Sequence, residues 1–217
     1  MPKKAIIFDF DGVITNGVPY REEAYINVLR SIGISLSPDE LSSYTGSTPQ
    51  EVFTSVIERA GGNTASSMED ILKHYHTVLY ELYELRSEPS PGLHEFIFAC
   101  KAEGLLLGVS SSAPSDILKM VLRKFGIEGY IDATVGGEMV ECPKPDAETF
   151  TKTIELLHVE PENAAAIDDR WAGIIAAKSL DMYTIAYLYY NQSNIFGADL
   201  NVYDFSEVDL KKIFAAE

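Results

Sequence analysis

Short apolar runs that alternate with helical patterns organise most of this chain. The runs have four or five residues, and this continuous apolarity is typical of parallel strands that are covered on both faces of a sheet. They lie at residues 5–8, 105–109, 131–135, 164–167 and 183–187. Amphipathic stretches between them predict helices at 93–103, 115–125 and 147–157. A strand followed by a helix, repeated along the chain, predicts an α/β fold with a doubly wound, Rossmann-like parallel sheet.

The interval 16–87 breaks this alternation, because it contains helical patterns and no convincing strand pattern. Thr48, Pro49 and Glu51 provide a hydroxyl cap, a proline in the first turn and an acid three residues after the cap, which together predict a helix start. A later helix is predicted by the apolar face of residues 68–86. That face consists of Ile71, Leu72, Tyr75, Val78, Leu79 and Leu82. We therefore predict a core domain at 1–15 and 88–217, with a helical domain inserted at 16–87.

The charge of the chain excludes some partners. Among its 217 residues, 33 acids against 17 bases give a formal net charge of −16, which would repel a phosphate backbone and an anionic membrane surface. No apolar run reaches the roughly 18 residues of a membrane span. We expect no nucleic-acid partner, no membrane association and a cytoplasmic location. Two cysteines 42 positions apart, Cys100 and Cys142, are expected to be reduced thiols.

Two aspartates follow the first apolar run. Asp9 and Asp11 point to the same side of an extended chain, so a nearby cation or a shared proton must offset their repulsion. A calcium loop would need an oxygen ligand where Val13 stands, and a dinucleotide fold would need glycines in place of the two acids. A solvated pair of turn aspartates stays open on this motif alone.

Further polar residues follow later strands. Ser110 and Ser111 come after the second run, Lys144 lies between two prolines, and Asp168 and Asp169 end the fourth run. Each feature alone has a plain structural explanation as a helix cap, an exposed lysine or acids at a helix start. Because ligands of open α/β sheets bind at the carboxyl ends of the strands, their combination predicts one site for a phosphate and a hard cation. Oxygen ligands without a histidine or cysteine cluster favour Mg²⁺.

The order of these motifs resembles the four-motif signature of the haloacid dehalogenase superfamily. The resembling residues are Asp9-Phe-Asp11-Gly-Val-Ile, Ser110, Lys144-Pro-Asp and Asp168-Asp169. The insert between the first and second motifs is similar to the helical cap of the subgroup that contains phosphoglycolate phosphatases, sugar-phosphate phosphatases and β-phosphoglucomutase. The resemblance implies an Mg²⁺-dependent phosphatase that acts on a small phosphorylated metabolite through an aspartyl-phosphate intermediate, as a monomer or homodimer.

The resemblance also implies a role for each residue. Asp9 would be the nucleophile and a metal ligand, and Asp11 would be the general acid and base and would offer its backbone carbonyl to the metal. Asp169 would complete the metal site, with Asp168 as a direct or indirect partner. Ser110, Lys144 and the backbone amide of Ser111 would bind phosphoryl oxygens. The cap residues expected near the substrate are Tyr20, Arg21, Thr45 and Gly46.

Two other functions stay open, a phosphosugar mutase and a non-catalytic phosphate-binding protein. A mutase must hold a second phosphate, and β-phosphoglucomutase carries a histidine, a lysine and an arginine where this chain has Arg21, Thr45 and Pro49. Hydrolysis is therefore favoured. Dehalogenation is disfavoured because the dehalogenases lack the acid found here at Asp11. The chain departs from the usual family pattern at Arg170, Trp171 and Asp181.

Overall fold

The computed structural model describes residues 4–44, 47–62, 64–191, 194–195 and 197–214. Its contacts divide the chain into two compact units, the α/β unit (1–16 and 87–217) and the helical unit (17–86). The predicted domains, 1–15 with 88–217 and 16–87, stay a prediction. The strands are β1 (Ala5–Phe8), β2 (Leu106–Ser110), β3 (Ala133–Val135), β4 (Ala164–Asp168), β5 (Tyr183–Tyr187) and β6 (Leu200–Val202). The helices are α1 (Val18–Ser31), α2 (Pro38–Ser42), α3 (Pro49–Arg59), α4 (Met68–Arg86), α5 (Leu93–Ala102), α6 (Ser115–Lys124), α7 (Glu148–Leu157), α8 (Trp171–Lys178) and α9 (Leu210–Ile213).

The described strands form one parallel sheet in the order β3-β2-β1-β4-β5-β6. The reversal of strand order lies between β1 and β4, so the carboxyl ends of these two strands flank the crevice where doubly wound folds bind ligands. In register, Ile7 of β1 lies opposite Gly108 on one side and Ala166 on the other. The predicted α/β fold class is confirmed.

Alternate residues of β1 pack against opposite faces of the sheet. Ile7 belongs to a buried cluster that includes Phe150 and Ile154 of α7. On the other face, the Phe8 ring lies edge-on to Phe96, with 6.0 Å between ring centroids. Full burial of each such side chain contributes about 1.5–3 kcal/mol to the free energy of folding. The strand that ends at the carboxylate site is therefore fixed from both sides.

The helical unit packs α1 and α3 against α4 through aromatic side chains. Tyr25 and Tyr75 stack with 4.5 Å between ring centroids, and Phe53 lies 5.5 Å from Tyr75. The predicted helix start at Thr48 is confirmed, because its side chain and that of Glu51 form a reciprocal capping box.

The buried face of α4 differs from the predicted one. Its buried residues are Ile71, Tyr75, Leu79 and Tyr83. Leu72, Val78 and Leu82 are only partly buried. The buried residues follow a strict spacing of four and end at the Tyr83 ring, which takes the place of Leu82 in the predicted face.

Three further observations concern segments outside the site. Across the ranges that the structure describes, no helix is both long and apolar enough to cross a bilayer. Cys100 and Cys142 are free thiols, as expected, and burial raises the pKa of Cys100 to about 12. Strand β6 was not predicted, because its three residues include Asn201 and do not form an apolar run.

Candidate active site

A tight turn after β1 carries the first two aspartates. The Asp9 N–H continues the sheet by donating to the Ile167 carbonyl at 2.8 Å, and the Gly12 N–H donates to the Thr15 carbonyl at 2.7 Å. Gly12 has a φ of +91°, a conformation that favours glycine. A Cβ at this position would also overlap the carboxylate of Asp169. Glycine at position 12 therefore permits both the turn after β1 and the close approach of Asp169 from the end of β4.

Lys144 binds three oxygens at the carboxyl edge of the sheet. Its Nζ lies 2.7 Å from Oδ1 of Asp9, 2.8 Å from Oδ2 of Asp168 and 2.9 Å from the Ser110 carbonyl. Burial alone would lower the pKa of Lys144, but the carboxylates of Asp168 and Asp9 raise it above the ordinary lysine value. The ammonium group is therefore charged and joins the ends of β1, β2 and β4.

Three carboxylates meet beside this ammonium group. Asp9, Asp168 and Asp169 are buried, and each offers one oxygen within 4.8 Å of the others. Burial, followed by the charges of Asp9 and Asp168, raises the pKa of Asp169 to about 8. Burial also raises the pKa of Asp168 to about 6, against the opposing effect of Lys144. The cluster thus disfavours its own negative charge, and a cation bound to the same carboxylates would offset that charge.

These carboxylates fit a divalent cation with a preference for oxygen ligands. Oδ1 of Asp169 is buried and accepts no hydrogen bond from any residue in the described part of the chain. A buried acceptor without a donor is costly, and a hard cation would satisfy it. Asp11 is also buried, in the turn after Asp9, but its side chain is not one of the three clustered carboxylates.

Helix α8 shapes the site from the side of β4. Arg170 precedes the helix, and its backbone N–H donates to Oδ1 of Asp168 at 2.9 Å. A Cβ at Gly173, one turn later, would overlap the same carboxylate. Gly173 was not predicted as a site residue. Its apolar neighbours gave no signal, because its importance comes from how closely α8 approaches Asp168.

The serines after β2 differ in part from the expectation. The Ser110 hydroxyl is buried and has no hydrogen-bond partner among the described residues, so it can bind a ligand oxygen. The expected phosphate-binding amide of Ser111 instead donates to the Val135 carbonyl at 3.0 Å. Pairing of β2 with β3 extends one residue beyond Ser110 and uses this N–H. The Ser111 hydroxyl oxygen accepts from the Ala113 N–H at 3.0 Å.

Glu148 holds the lysine loop, residues 140–146, and sequence reasoning missed it. Its Oε2 accepts hydrogen bonds from the N–H groups of Glu141 at 2.9 Å and Cys142 at 2.7 Å, and its Oε1 lies 2.6 Å from Nζ of Lys152. The hydrogen bond from Lys152, followed by that from Cys142, lowers the pKa of Glu148. The only sequence signal was a Glu four residues before a Lys, which is common on helix surfaces.

Two of the four predicted cap residues, Tyr20 and Arg21, lie on α1 of the helical unit. The Tyr20 hydroxyl donates to the Arg86 carbonyl at 2.8 Å, and its ring lies edge-on to Tyr83 at 5.2 Å. Arg21 is partly buried on α1. Thr45 and Gly46 lie outside the described residues. A substrate-binding role for these residues stays a prediction.

The fold and the site together define a doubly wound α/β protein with a cluster of buried carboxylates at the switch point of the sheet. Residues 6–187 match the model of the haloacid dehalogenase-like hydrolase family. The chain belongs to this family, and the predicted resemblance is confirmed.

Named relatives cover most of this chain. It is 30% identical over 176 residues to a phosphorylated carbohydrates phosphatase of Thermotoga maritima, and the aligned residues cover 81% of each chain. It is 29% identical over 214 residues to the β-phosphoglucomutase of Bacillus subtilis, which spans 96% of this chain and 92% of the relative. A crystal structure of CbbY from Rhodobacter sphaeroides has the same fold, with a TM-score of 0.86 at 22% identity over 97% of this chain and 99% of the other.

Proposed function

We propose that this protein is a Mg²⁺-dependent phosphatase that hydrolyses a phosphomonoester of a small metabolite, such as a sugar phosphate or phosphoglycolate. The observation that carries the proposal is the position of the Lys144 ammonium between Asp9 and Asp168, at 2.7 and 2.8 Å, beside the buried Ser110 hydroxyl. A fixed cation and a hydroxyl next to a carboxylate suit binding of a phosphoryl group and its attack by that carboxylate. The sugar-phosphate class draws on the names of the relatives described above.

The first step would be attack by an Asp9 oxygen on phosphorus. The bond from phosphorus to the ester oxygen breaks as the aspartyl phosphate forms, and Asp11 donates a proton to the leaving alcohol. Asp11 then takes a proton from water, and the resulting hydroxide attacks phosphorus. The bond between phosphorus and Asp9 breaks, which releases phosphate and restores both acids.

Each remaining residue would bind or orient the reacting groups. Lys144 and the Ser110 hydroxyl would contact phosphoryl oxygens. The carboxylates of Asp9, Asp168 and Asp169, with the backbone carbonyl of Asp11, would hold Mg²⁺. When bound, this ion would supply positive charge that offsets the repulsion between Asp9 and an anionic phosphate.

The test is Mg²⁺-dependent release of phosphate from p-nitrophenyl phosphate. Asp9→Asn should abolish release, because an amide is a poor nucleophile, while Asp181→Asn should leave it unchanged. Asp181 is a suitable control because it is exposed and has a φ of +59°, which asparagine tolerates. Equal activity of wild type and Asp9→Asn would refute the proposal. A panel of hexose phosphates, polyol phosphates, phosphoglycolate and nucleotides would then define the substrate.

A phosphosugar mutase is the second candidate, favoured by similarity to the Bacillus subtilis enzyme over 96% of the chain. A mutase needs cations that hold a second phosphate, and Pro49 stands in the first turn of α3 where the resemblance would require an arginine. Isomerisation of glucose 1-phosphate, assayed beside phosphate release, distinguishes the two functions. We expect phosphate release without isomerisation.

A further inference from the structure

Arg170 brings a second cation to the carboxylate cluster. It follows Asp169 directly and precedes α8, and its side-chain Nε lies 3.9 Å from Oδ1 of Asp169. The Arg170 side chain is 37% exposed, whereas that of Asp169 is 7% exposed. A guanidinium at the mouth of the cluster therefore faces a buried carboxylate oxygen.

The Arg170–Asp169 distance differs from that of two closer ion pairs of the α/β unit. Lys144 lies 2.8 Å from Asp168, and Lys178 lies 2.7 Å from Asp199, so both lysines donate hydrogen bonds. Arg170 approaches Asp169 to 3.9 Å, which is too far for a hydrogen bond. The acceptor, Oδ1 of Asp169, has no donor among the described residues. The guanidinium thus offsets charge without occupying the oxygen.

This arrangement has opposite effects in the two states of the site. Without a metal, the positive charge of Arg170 offsets part of the mutual repulsion of the Asp9, Asp168 and Asp169 carboxylates. With a divalent cation on the same carboxylates, the guanidinium is a like charge at short range and opposes binding.

We propose that Arg170 is an internal competitor of the divalent cation, which stabilises the metal-free site and weakens its affinity for Mg²⁺. This inference rests on the proposed metal site. Arg170 acts through Asp169 and is a positioning residue. Because Arg170 is partly exposed, solvent screens its charge, and we expect its removal to raise Mg²⁺ affinity roughly five- to tenfold.

Two neutral variants test the proposal, Arg170→Gln and Arg170→Ser. Glutamine keeps much of the side-chain length, and serine is a favoured residue at the position before a helix, so α8 should still form. Arg170→Lys keeps the charge and should resemble wild type. Arg123→Gln is the matched control, because Arg123 pairs with Glu128 at 2.9 Å and its substitution removes one positive charge, as the neutral Arg170 variants do.

The measurements are Mg²⁺ affinity by titration calorimetry and melting temperature in EDTA and in saturating MgCl₂. Both neutral variants should have a lower melting temperature than wild type in EDTA and should bind Mg²⁺ more tightly. Saturating MgCl₂ should raise their melting temperatures by more than it raises that of wild type. Emission from Trp171, the single tryptophan of the chain and the next residue, gives an independent titration midpoint. A merely structural role would lower both melting temperatures and leave the affinity unchanged or weaker.

Several outcomes would overturn the proposal. The first is an unchanged or weaker affinity for Mg²⁺ in the neutral Arg170 variants. The second is an equal rise in Mg²⁺ affinity in Arg123→Gln, and the third is the absence of Mg²⁺ binding by wild type. None of these measurements uses phosphate release. If the neutral variants bind Mg²⁺ more tightly but Asp9-dependent phosphate release is absent, the role of Arg170 stands and the proposed phosphatase activity fails.

Discussion

Replacement of Lys144 by methionine should strongly destabilise the protein. The substitution keeps an aliphatic chain but removes the ammonium that binds Asp9, Asp168 and the Ser110 carbonyl. The Lys144 side chain is 9% exposed and that of Asp168 is 2% exposed, so water cannot replace the lost charge. Loss of one partner from a buried ion pair typically costs about 3–5 kcal/mol of the free energy of unfolding.

The raised pKa of Lys144 makes its contribution complete near neutral pH. A group with a raised folded-state pKa stabilises the protein fully below its unfolded-state pKa, which is about 10.4 for lysine. In Lys144→Met, the pKa of Asp168, already raised to about 6 in the presence of the lysine, should rise further. A carboxyl group whose pKa is raised in the folded state makes the folded protein less stable as pH rises. The loss of unfolding free energy in Lys144→Met should therefore be largest near pH 8 and smaller near pH 5.

Urea unfolding of the metal-free protein in EDTA measures this effect. A loss of about 4 kcal/mol with a slope of about 3 kcal/mol per molar urea shifts the midpoint by about 1.3 M. Lys178→Met is the control, because Lys178 lies 2.7 Å from Asp199 but its side chain is 39% exposed, and such a pair contributes at most about 1 kcal/mol. A Lys144→Met defect no larger than this control, or one that grows towards acid pH, would refute the reasoning.

Three further predictions concern the same site. Gly12→Ala should abolish the Mg²⁺ binding that calorimetry measures, because the new Cβ would overlap Asp169. Gly126 also has a positive φ, +71°, but open space around it, so Gly126→Ala should lower the free energy of unfolding in urea by only about 1 kcal/mol. Mg²⁺ must displace the proton from Asp169, whose pKa is raised to about 8. The affinity of the site for Mg²⁺ should therefore rise up to about tenfold per pH unit between about pH 6 and pH 7, and an affinity that calorimetry finds independent of pH would contradict this. Glu148→Ala frees two backbone N–H groups of the lysine loop and should lower kcat for phosphate release roughly tenfold, whereas exposed Glu155→Ala on the same helix should not; equal rates would exclude a positioning role.

The parts of the site that follow directly from strand ends could be predicted from the sequence. Asp9 and Asp168 stand at the ends of β1 and β4, which are buried apolar strands and adjacent in the sheet. Local pattern and parallel topology therefore suffice to place their carboxylates at one edge. Their predicted catalytic and metal-binding roles await the experiments above.

Features that depend on packing between distant segments could not be predicted. The close approach of Gly173 to Asp168 depends on how α8 lies over β4, and the pairing of the Ser111 N–H with Val135 depends on where β3 ends. Neither has a local pattern. Glu148 is a similar case, because its partners are the backbone N–H groups of a loop and leave no trace in residue identity.

The charges around the carboxylate cluster favour binding of a divalent cation at this site. Four buried carboxylates lie at or beside the cluster, those of Asp9, Asp11, Asp168 and Asp169. Lys144 and Arg170 lie within 4.0 Å of the Asp9, Asp168 and Asp169 carboxylates, so these three acids, when fully ionised, keep one negative charge that the two cations do not balance. Burial and the neighbouring carboxylates raise the pKa of Asp169, which favours its protonated form and would remove part of this excess. An ion of charge +2 would offset this excess and free those protons, and its added positive charge would lower the electrostatic penalty for a phosphate dianion beside Asp9.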